Sequence, residues 1–482
     1  MEENSVMMQA FEWNLADDGN YYKNLKNKVV DLKKNGIDAL WLPPAFKATS
    51  SNDVGYGIYD LYDLGEFDQK GTIRTKYGKL DELRELIQEL HQNNMKVYAD
   101  VVMNHKAGAD FTEEFLVREV DENNRRKVIS ESHNIRGWTG FNFPGRGKKY
   151  SEFEWNFTHF TAVDYDAKNE KKGIFKINGE NKDWSQGVSD EKGNFDYLMF
   201  ADIDHQHPEV KAEFFSWGEW FINFLKIDGM RFDALKHIQD QFIKEFIQHI
   251  ENTAERNLYF FGEYWKEDKE ENNHYLYETK YKTDLFDVAL HFNMAEAAAN
   301  TDSYDMRMIF DNSIVQEHPL IAVTFVDNHD SQPGQSLESF VDSWFKKIAY
   351  GLILLRKDGY PCIFYGDYYG ISGENPLDGH KEMIDQLIKI RKDYAWGEQS
   401  DYMESKDLIA WVRYGDDHHP GSLAVLISTG EAKTLRMNVG ENQAGKVYGE
   451  LTANNHKEVK IDQKGFGNFE VAPGDLSAWA EK

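Results

Sequence analysis

Gly229-Met-Arg-Phe-Asp-Ala-Leu-Lys-His-Ile-Gln-Asp-Gln-Phe-Ile-Lys-Glu-Phe-Ile-Gln-His-Ile250 runs through a short polar stretch into Leu258-Tyr-Phe-Phe261. Gly229–Phe232 is a short apolar run opened by glycine. Phe242, Phe246 and Ile250 then recur every four residues, which sets them on one face of a helix. Leu258–Phe261 is a second apolar run. Strand, amphipathic helix and strand together make the unit of a parallel sheet whose faces are covered by helices.

The alternation continues in both directions. Further strands are expected at Val6–Phe11, Ala39–Leu42, Val97–Val102, Leu285–Val288, Ile321–Val326 and Pro361–Tyr365, which makes eight in all. Helical periodicity links Leu25, Val29 and Leu32, and likewise Leu80, Leu83, Ile87 and Leu90. Eight units predict an α/β fold closed into a (β/α)8 barrel of the TIM type. No Gly-x-Gly-x-x-Gly follows the first run, which argues against an open dinucleotide-binding sheet.

Two stretches break the pattern. Residues 105–207 are polar and rich in Gly, Asn, Asp and aromatics, too long for a bare loop, so an inserted domain is expected after the third strand. Beyond Trp396 come short apolar runs at Leu408–Val412, Leu423–Ile427, Thr434–Val439, Val447–Tyr448 and Val459–Ile461, separated by Gly, Asp and Asn turns. They predict an antiparallel β domain. The division is therefore 1–104 with 208–396 for the barrel, 105–207 for the insertion and 397–482 for the tail. At roughly 150 residues per domain, 482 residues fit three.

Composition narrows the function. A 41% apolar and 14% aromatic content excludes a mainly disordered chain. With 55 basic against 83 acidic residues the net charge is −28, which repels phosphate backbones, and no local basic stripe offsets it, so nucleic acid is not an expected partner. A neutral substrate suits such a surface. Cys362, the single cysteine, lies in the apolar run Pro361–Tyr365 and reads as a buried small hydrophobe rather than a reactive thiol. No run approaches the roughly 18 apolar residues of a membrane helix, and the start Met1-Glu-Glu-Asn-Ser5 has no basic, apolar leader. A cytoplasmic chain, probing no membrane, is the expectation, with secretion the alternative if a leader has been removed.

Strand exits of such a barrel carry its chemistry. Asp100-Val-Val-Met-Asn104-His105 leaves the third strand, Arg231-Phe-Asp233-Ala-Leu-Lys236-His237 the fourth, Glu263-Tyr-Trp265 the fifth, and Asp327-Asn-His329-Asp330 the seventh. A lone charge at a strand exit is ordinary structure. Four such clusters on one rim repel each other and resist desolvation, so function is the better account. Two carboxyls suffice to cleave an acetal, one ionised at the sugar carbon and one holding a proton for the departing oxygen. Asp233, Glu263 and Asp330 are the candidates. Arg231 favours an ionised Asp233, while neighbouring anions and the rings of Phe260, Phe261 and Trp265 favour a protonated Glu263. His105 and His329 are expected to donate to sugar hydroxyls, and Tyr56 and Trp265 to stack on sugar rings, although either ring would serve equally in a core.

In order and spacing the four clusters resemble the four sequence blocks of glycoside hydrolase family 13, the α-amylase family. Met8-Gln-Ala-Phe-Glu-Trp13, Trp41-Leu-Pro-Pro44, Tyr59–Phe67, Gly193–Met199, Asp202-Ile-Asp204 and Asp330–Gln335 extend the likeness over most of the chain, closest to the bacterial liquefying and cytoplasmic branch. The resemblance implies Asp233 as nucleophile, Glu263 as general acid/base and Asp330, rather than Asp327, as transition-state stabiliser. It implies substrate-site positions for Tyr56, Asp100, His105, Arg231, Lys236, His237, Trp265 and His329. The implied reaction is retaining endo-hydrolysis of α-1,4-glucosidic bonds in starch, glycogen or maltodextrin through a covalent glycosyl-enzyme. A 4-α-glucanotransferase on the same scaffold is the alternative. The insertion and tail correspond to the family's domains B and C. One Ca2+ is implied, held by Asn104, Asp196, Asp202 and the carbonyl of His237. Additional cations of secreted relatives are not expected, because Thr161, Ser185 and Gln206 stand where those relatives carry aspartates, though Asp204 remains. A monomer acting on an α-glucan completes the expectation.

Overall fold

A strand packed between its neighbours, an outer helix and the barrel interior has no wet face, which is why these runs are largely apolar. In the computed structural model, which describes residues 4–180, 182–452 and 457–482, the eight runs become β1 (Met7–Gln9), β2 (Ala39–Leu42), β3 (Lys96–Val101), β4 (Gly229–Phe232), β5 (Tyr259–Gly262), β6 (Asp284–Phe286), β7 (Ala322–Phe325) and β8 (Tyr360–Phe364). They close a barrel in chain order, each parallel to the next, and β8 returns to β1 with Cys362 opposite Met7. Every residue of β2, β4, β7 and β8 is buried. Cys362 is among them, and burial pushes its thiol up to about 12, out of the reactive range.

Helix Leu80–Gln92 buries Leu80, Leu83, Leu86, Ile87 and Leu90 against the strands, and the Glu82 carboxylate caps its start by accepting from the Lys79 N–H at 2.9 Å. Asp240–Thr253 buries Phe242, Phe246 and Ile250 as its spacing predicts. The periodic set Leu25, Val29 and Leu32 is shared by two short helices, Tyr21–Lys26 and Val29–Lys34. At the break the Lys28 N–H donates to the Leu25 carbonyl at 2.9 Å, a three-residue turn that tightens the first helix to its end while all three apolar side chains stay buried.

Between β3 and β4 the polar stretch forms a six-stranded antiparallel sheet. Its strands lie in the order His105–Lys106, Ala201–Ile203, Phe160–Asp166, Lys171–Ile177, Phe111–Val120, His133–Gly140. Asp202 pairs opposite His105, and the Ile203 N–H donates to the Asn104 carbonyl at 3.0 Å. The end of this sheet is thus sewn to the exit of β3, beside the barrel mouth.

The tail carries a six-stranded antiparallel sheet, ordered Gln399–Ser405, Leu408–Arg413, Leu423–Ser428, Asp475–Glu481, Val447–Glu450, Glu458–Lys460, and a separate pair, Lys433–Asn438 with Phe466–Val471. One face makes its own core around Leu426, Tyr448, Phe469 and Trp479. The other joins the barrel core through Ile409, Trp411 and Val425, and the Trp411 indole donates to the Leu355 carbonyl at 3.0 Å. Among the described residues no helix is long and apolar enough to cross a membrane.

Candidate active site

Parallel register makes the first contact. Arg231 on β4 lies directly between Asp100 on β3 and Phe261 on β5, two residues short of Glu263. Its guanidinium, fully buried, reaches three carboxylates at once. Nη1 donates to both oxygens of Asp100 (3.0 and 3.1 Å) and to Oδ1 of Asp233 (2.9 Å), and Nη2 donates to Oε2 of Glu263. Asp100 accepts further bonds from the Trp41 indole and the Tyr56 hydroxyl, each at 3.0 Å. One cation therefore serves three anions, with Asp330 a fourth close by.

That imbalance sets the protonation. Burial pushes the Glu263 carboxyl up to about 8; Arg231 opposes the shift, and Asp330, Asp233 and Asp100 add to it. Burial likewise raises Asp330 to about 7 and Asp100 to about 6, again against the pull of Arg231. Burial alone would discharge Arg231, but the surrounding carboxylates outweigh it and hold the guanidinium charged. The arrangement is a protonated Glu263 facing Asp233 across a shared cation, the division of labour that acetal cleavage needs.

A cavity of about 470 Å³ opens over these groups. Asp233, Glu263 and Asp330 line it, as do Tyr56, His105, Lys236, His237, Trp265 and His329. Asp100 and Arg231 do not: both are wholly buried beneath the wall, so they brace the groups that face the cavity instead of touching a bound sugar. His105 reaches the wall with its N–H already engaged. The Nε2 proton goes to the Tyr56 carbonyl at 2.8 Å, and Nδ1 accepts from the Asn104 amide at 3.3 Å, which leaves no ring N–H for a sugar hydroxyl. Lys236 donates to the Trp265 carbonyl at 3.2 Å and pairs with Glu191 at 3.2 Å. Asp327 turns away from the cavity into a buried network with Lys346, Ser331 and the Val341 N–H.

Several wall residues carry no distinctive sequence signal. Trp13 stacks parallel to Tyr56 and His329, with ring centroids 6.0 Å apart in both cases, and Tyr56 and His329 are themselves parallel at 5.2 Å. Phe195, Met199 and Glu191 also line the cavity. An aromatic or methionine reads as core unless its strand exit is known, and Trp13 lies four residues beyond the end of β1.

Of the calcium candidates, Asp196 lies close enough to Asp202 to raise its pKa. Because Asn104 spends its amide on His105, its Oδ1 is left buried with no hydrogen-bond partner. Asp196 and Asp202 are buried, and among the described residues neither forms an ion pair. Burial raises Asp196 to about 7, and burial together with Asp196 and Asp204 holds Asp202 far above the usual carboxylate range. His237 Nδ1 donates to the carbonyl of Phe195, the residue before Asp196, at 2.7 Å. Oxygen donors with uncompensated negative charge and one orphaned amide oxygen fit a hard divalent cation. Thr161 Oγ1 donates to Asp202 and the Ser185 N–H to Asp196 at 2.9 Å, neutral donors that leave the charge of both unanswered, whereas Lys182 pairs with Asp204 and supplies a cation there. A second donor group, His159, His207 and Glu209, fits a metal poorly. His159 Nδ1 accepts from the Asn156 N–H at 3.2 Å, so Nε2 carries the proton that it gives to Glu209 at 3.3 Å, and no lone pair remains.

Comparison with known proteins gives the family. The family model described as alpha amylase, catalytic domain, matches residues 18–419. The glucan 1,4-alpha-maltohexaosidase of Bacillus sp. (strain 707) is 47% identical, aligned over 99% of this chain and 93% of its own. An alpha-amylase of Bacillus licheniformis is 46% identical over 99% and 94%, and the cytoplasmic alpha-amylase of Escherichia coli (strain K12) 38% over 99% and 98%. Among solved structures, an Anoxybacillus alpha-amylase superposes with a TM-score of 0.67 at 18% identity, covering 99% of this chain and 98% of that one, a likeness of fold.

Proposed function

Since the chain belongs to the alpha-amylase family and is an endo-acting glycoside hydrolase, we propose that Asp233, Glu263 and Asp330 cleave α-1,4-glucosidic bonds in starch, glycogen or maltodextrin with retention of configuration. The observation that carries the assignment is the single guanidinium of Arg231, which holds Asp233 and Glu263 on either side of one point while Glu263 keeps its proton at neutral pH.

Glu263 protonates the glycosidic oxygen as an Asp233 oxygen attacks the anomeric carbon. The carbon–oxygen bond to the leaving chain breaks, and a covalent glycosyl ester forms. Glu263, now ionised, takes a proton from water, whose oxygen displaces Asp233 and restores the α configuration. Asp330 binds the hydroxyls of the cleaved sugar. Tyr56, Trp13 and Trp265 offer ring faces, while Lys236 and His237 lie on the leaving-group side. Asp100 and Arg231 act from behind the wall, and His105 acts by fixing the Tyr56 backbone.

Calcium would be held by Asn104 Oδ1, Asp196, Asp202 and the His237 carbonyl. When bound it supplies the positive charge that Asp196 and Asp202 otherwise lack, and one such ion suffices for the donors present. The domain division at 104/105, 207/208 and 396/397, a monomeric state and a cytoplasmic location belong to the same reading. The last is supported by the cytoplasmic relative and the single buried thiol.

The products of a defined maltoheptaose test the function. Shorter chains, released first as the α anomer, are expected. Chains longer than the substrate would mark a 4-α-glucanotransferase, and a β product would remove the double displacement.

A further inference from the structure

We propose that Gln9, at the mouth end of β1, is a positioning residue for the hydrolysis. Its side-chain amide donates to Nδ1 of His329 and so keeps the proton of that ring on Nε2, beside Asp330 and free for a sugar hydroxyl. The proposal rests on the site reading above and adds to it a residue that touches neither substrate nor reacting atoms.

Gln9 is 1% exposed, with Trp41 opposite it on β2 and Phe364 on β8. A buried glutamine at the centre of a parallel barrel needs a reason, since its amide must be satisfied or its desolvation stands as a cost. Its Nε2 lies 2.8 Å from His329 Nδ1, while its Oε1 is buried with no partner. Half of the amide is thus left unsatisfied to make this one bond.

The histidine has little other freedom. Tyr56 and Trp13 lie parallel to its ring, and Trp41 and Phe11 close on it at 5.9 and 5.1 Å between centroids. Burial and the charge of Arg231 hold His329 well below the ordinary histidine value, so the ring is neutral and carries one proton. Nε2 is buried without a hydrogen-bond partner and lies 3.3 Å from Asp330 Oδ2. The charged and titratable groups that bear on the ring are Arg231 on β4, Asp330 on the loop after β7, the Tyr56 phenol and, through Tyr56 and Trp41, Asp100. Turning the Gln9 amide over would place Oε1 at Nδ1 and draw the proton there. A bare Nε2 lone pair would then face the carboxylate oxygens, and the cavity would lose a donor at the sugar. With Gln9 Nε2 at Nδ1, the accepting nitrogen of the ring is satisfied and the Nε2 proton stays uncommitted, 3.3 Å from the Asp330 carboxylate.

The tautomer is read on the wild-type side chains themselves. With histidine labelled by 15N, and the His329 resonances identified by their absence in His329→Asn, Nδ1 is expected at the unprotonated shift and Nε2 at the protonated one. The opposite tautomer overturns the proposal. Two variants carry the test to turnover. Gln9→Met keeps length and removes the donor; Gln9→Glu offers an acceptor in its place. Both should lower kcat/KM by about 10- to 100-fold, the consequence of one misdirected buried donor. Gln9→Glu should also move the His329 proton to Nδ1 and add an ionisation near neutral pH to the kcat/KM profile, which Gln9→Met lacks. A purely structural role would leave tautomer and profile alone. His329→Asn separates the two levels: if it turns over normally, the reading of His329 in the site fails. If it is impaired while Gln9→Met keeps the wild-type rate and tautomer, the Gln9 proposal alone fails.

Discussion

Asp100→Asn is the substitution that most directly tests why Glu263 holds its proton. The Asp100 carboxylate is completely buried and surrounded by donors alone: Arg231 Nη1 on both oxygens, the Trp41 indole and the Tyr56 hydroxyl. Asparagine is nearly isosteric but presents an NH2 group to one of those donors, so a buried bond is lost and Arg231 is drawn towards its remaining partners, Asp233 and Glu263. Removing one partner of a buried ion pair costs about 3–5 kcal/mol, which predicts a folded protein with a clearly lower thermal midpoint. The effect on catalysis has a definite sign. Asp100 is one of the anions that raise Glu263, and freeing Arg231 favours the ionised form further, so both changes lower the Glu263 pKa from about 8. A general acid works while protonated; activity is present below that pKa and is lost as pH rises through it. The basic limb of kcat/KM against pH should therefore move to lower pH, by on the order of one pH unit for one charge removed at an effective dielectric of about 20. The assay is initial rates on a maltooligosaccharide across pH 5 to pH 10, beside a thermal melt at each pH. If the basic limb stays in place or moves upward in folded Asp100→Asn, the account of Glu263 protonation is wrong.

Other outcomes follow from the same contacts. Glu263→Gln should lower kcat on starch by about 10²–10⁴-fold and lose far less on an α-glucosyl fluoride, whose leaving group needs no proton; equal losses on both would take the acid role from Glu263. Trp13→Ala removes one of three parallel rings in the wall and should raise KM by about 2- to 10-fold, from about 0.5–1.5 kcal/mol of ring contact, with kcat nearly unchanged. Stripping divalent ions should lower the thermal midpoint, and readdition of Ca2+ at 100 times its Kd should restore about 2.7 kcal/mol. Titration calorimetry of the stripped protein is expected to show one tight site. Asn104→Leu, which deletes the orphaned oxygen, should weaken that site, and unaltered binding would remove Asn104 from the ligand set.

The barrel is legible in the chain because its strands are buried on every side. An interior parallel strand is apolar except where a side chain is committed to the site, so Ala39–Leu42 and Gly229–Phe232, with Arg231 its one charge, stand out with their bounds unshifted. The inserted sheet obeys a different physics. Phe111–Val120 and His133–Gly140 form a hairpin with one wet face, and Phe111, Leu116 and Trp138 remain well exposed on it, so apolar residues do not mark its inward side. Gln399–Ser405 in the tail has no fully buried residue, and its place in the sheet comes from backbone pairing with Leu408–Arg413. The break between Tyr21–Lys26 and Val29–Lys34 was equally invisible, because the apolar spacing survives it.

For the site, residue types at strand exits announce which charges gather, but not where each proton points. Two of the Asn-His pairs in the chain, Asn104-His105 and Asn328-His329, lie just past a barrel strand. Read as text they are equivalent, and both histidines present themselves as donors to a sugar. In the first pair the asparagine amide donates to its own neighbour's Nδ1, and the far nitrogen is turned onto the Tyr56 carbonyl. In the second, Asn328 Oδ1 is occupied by the Asp330 and Ser331 N–H groups at 2.9 and 2.8 Å, so the asparagine shapes the loop and leaves the ring to Gln9. The same dipeptide closes one histidine and aims the other. What decides between them is a glutamine some three hundred residues away in the chain, brought beside His329 only because β1 and β7 flank β8 in the closed barrel. Charge at the rim can thus be read along the sequence, whereas proton direction is a property of the barrel once it has closed.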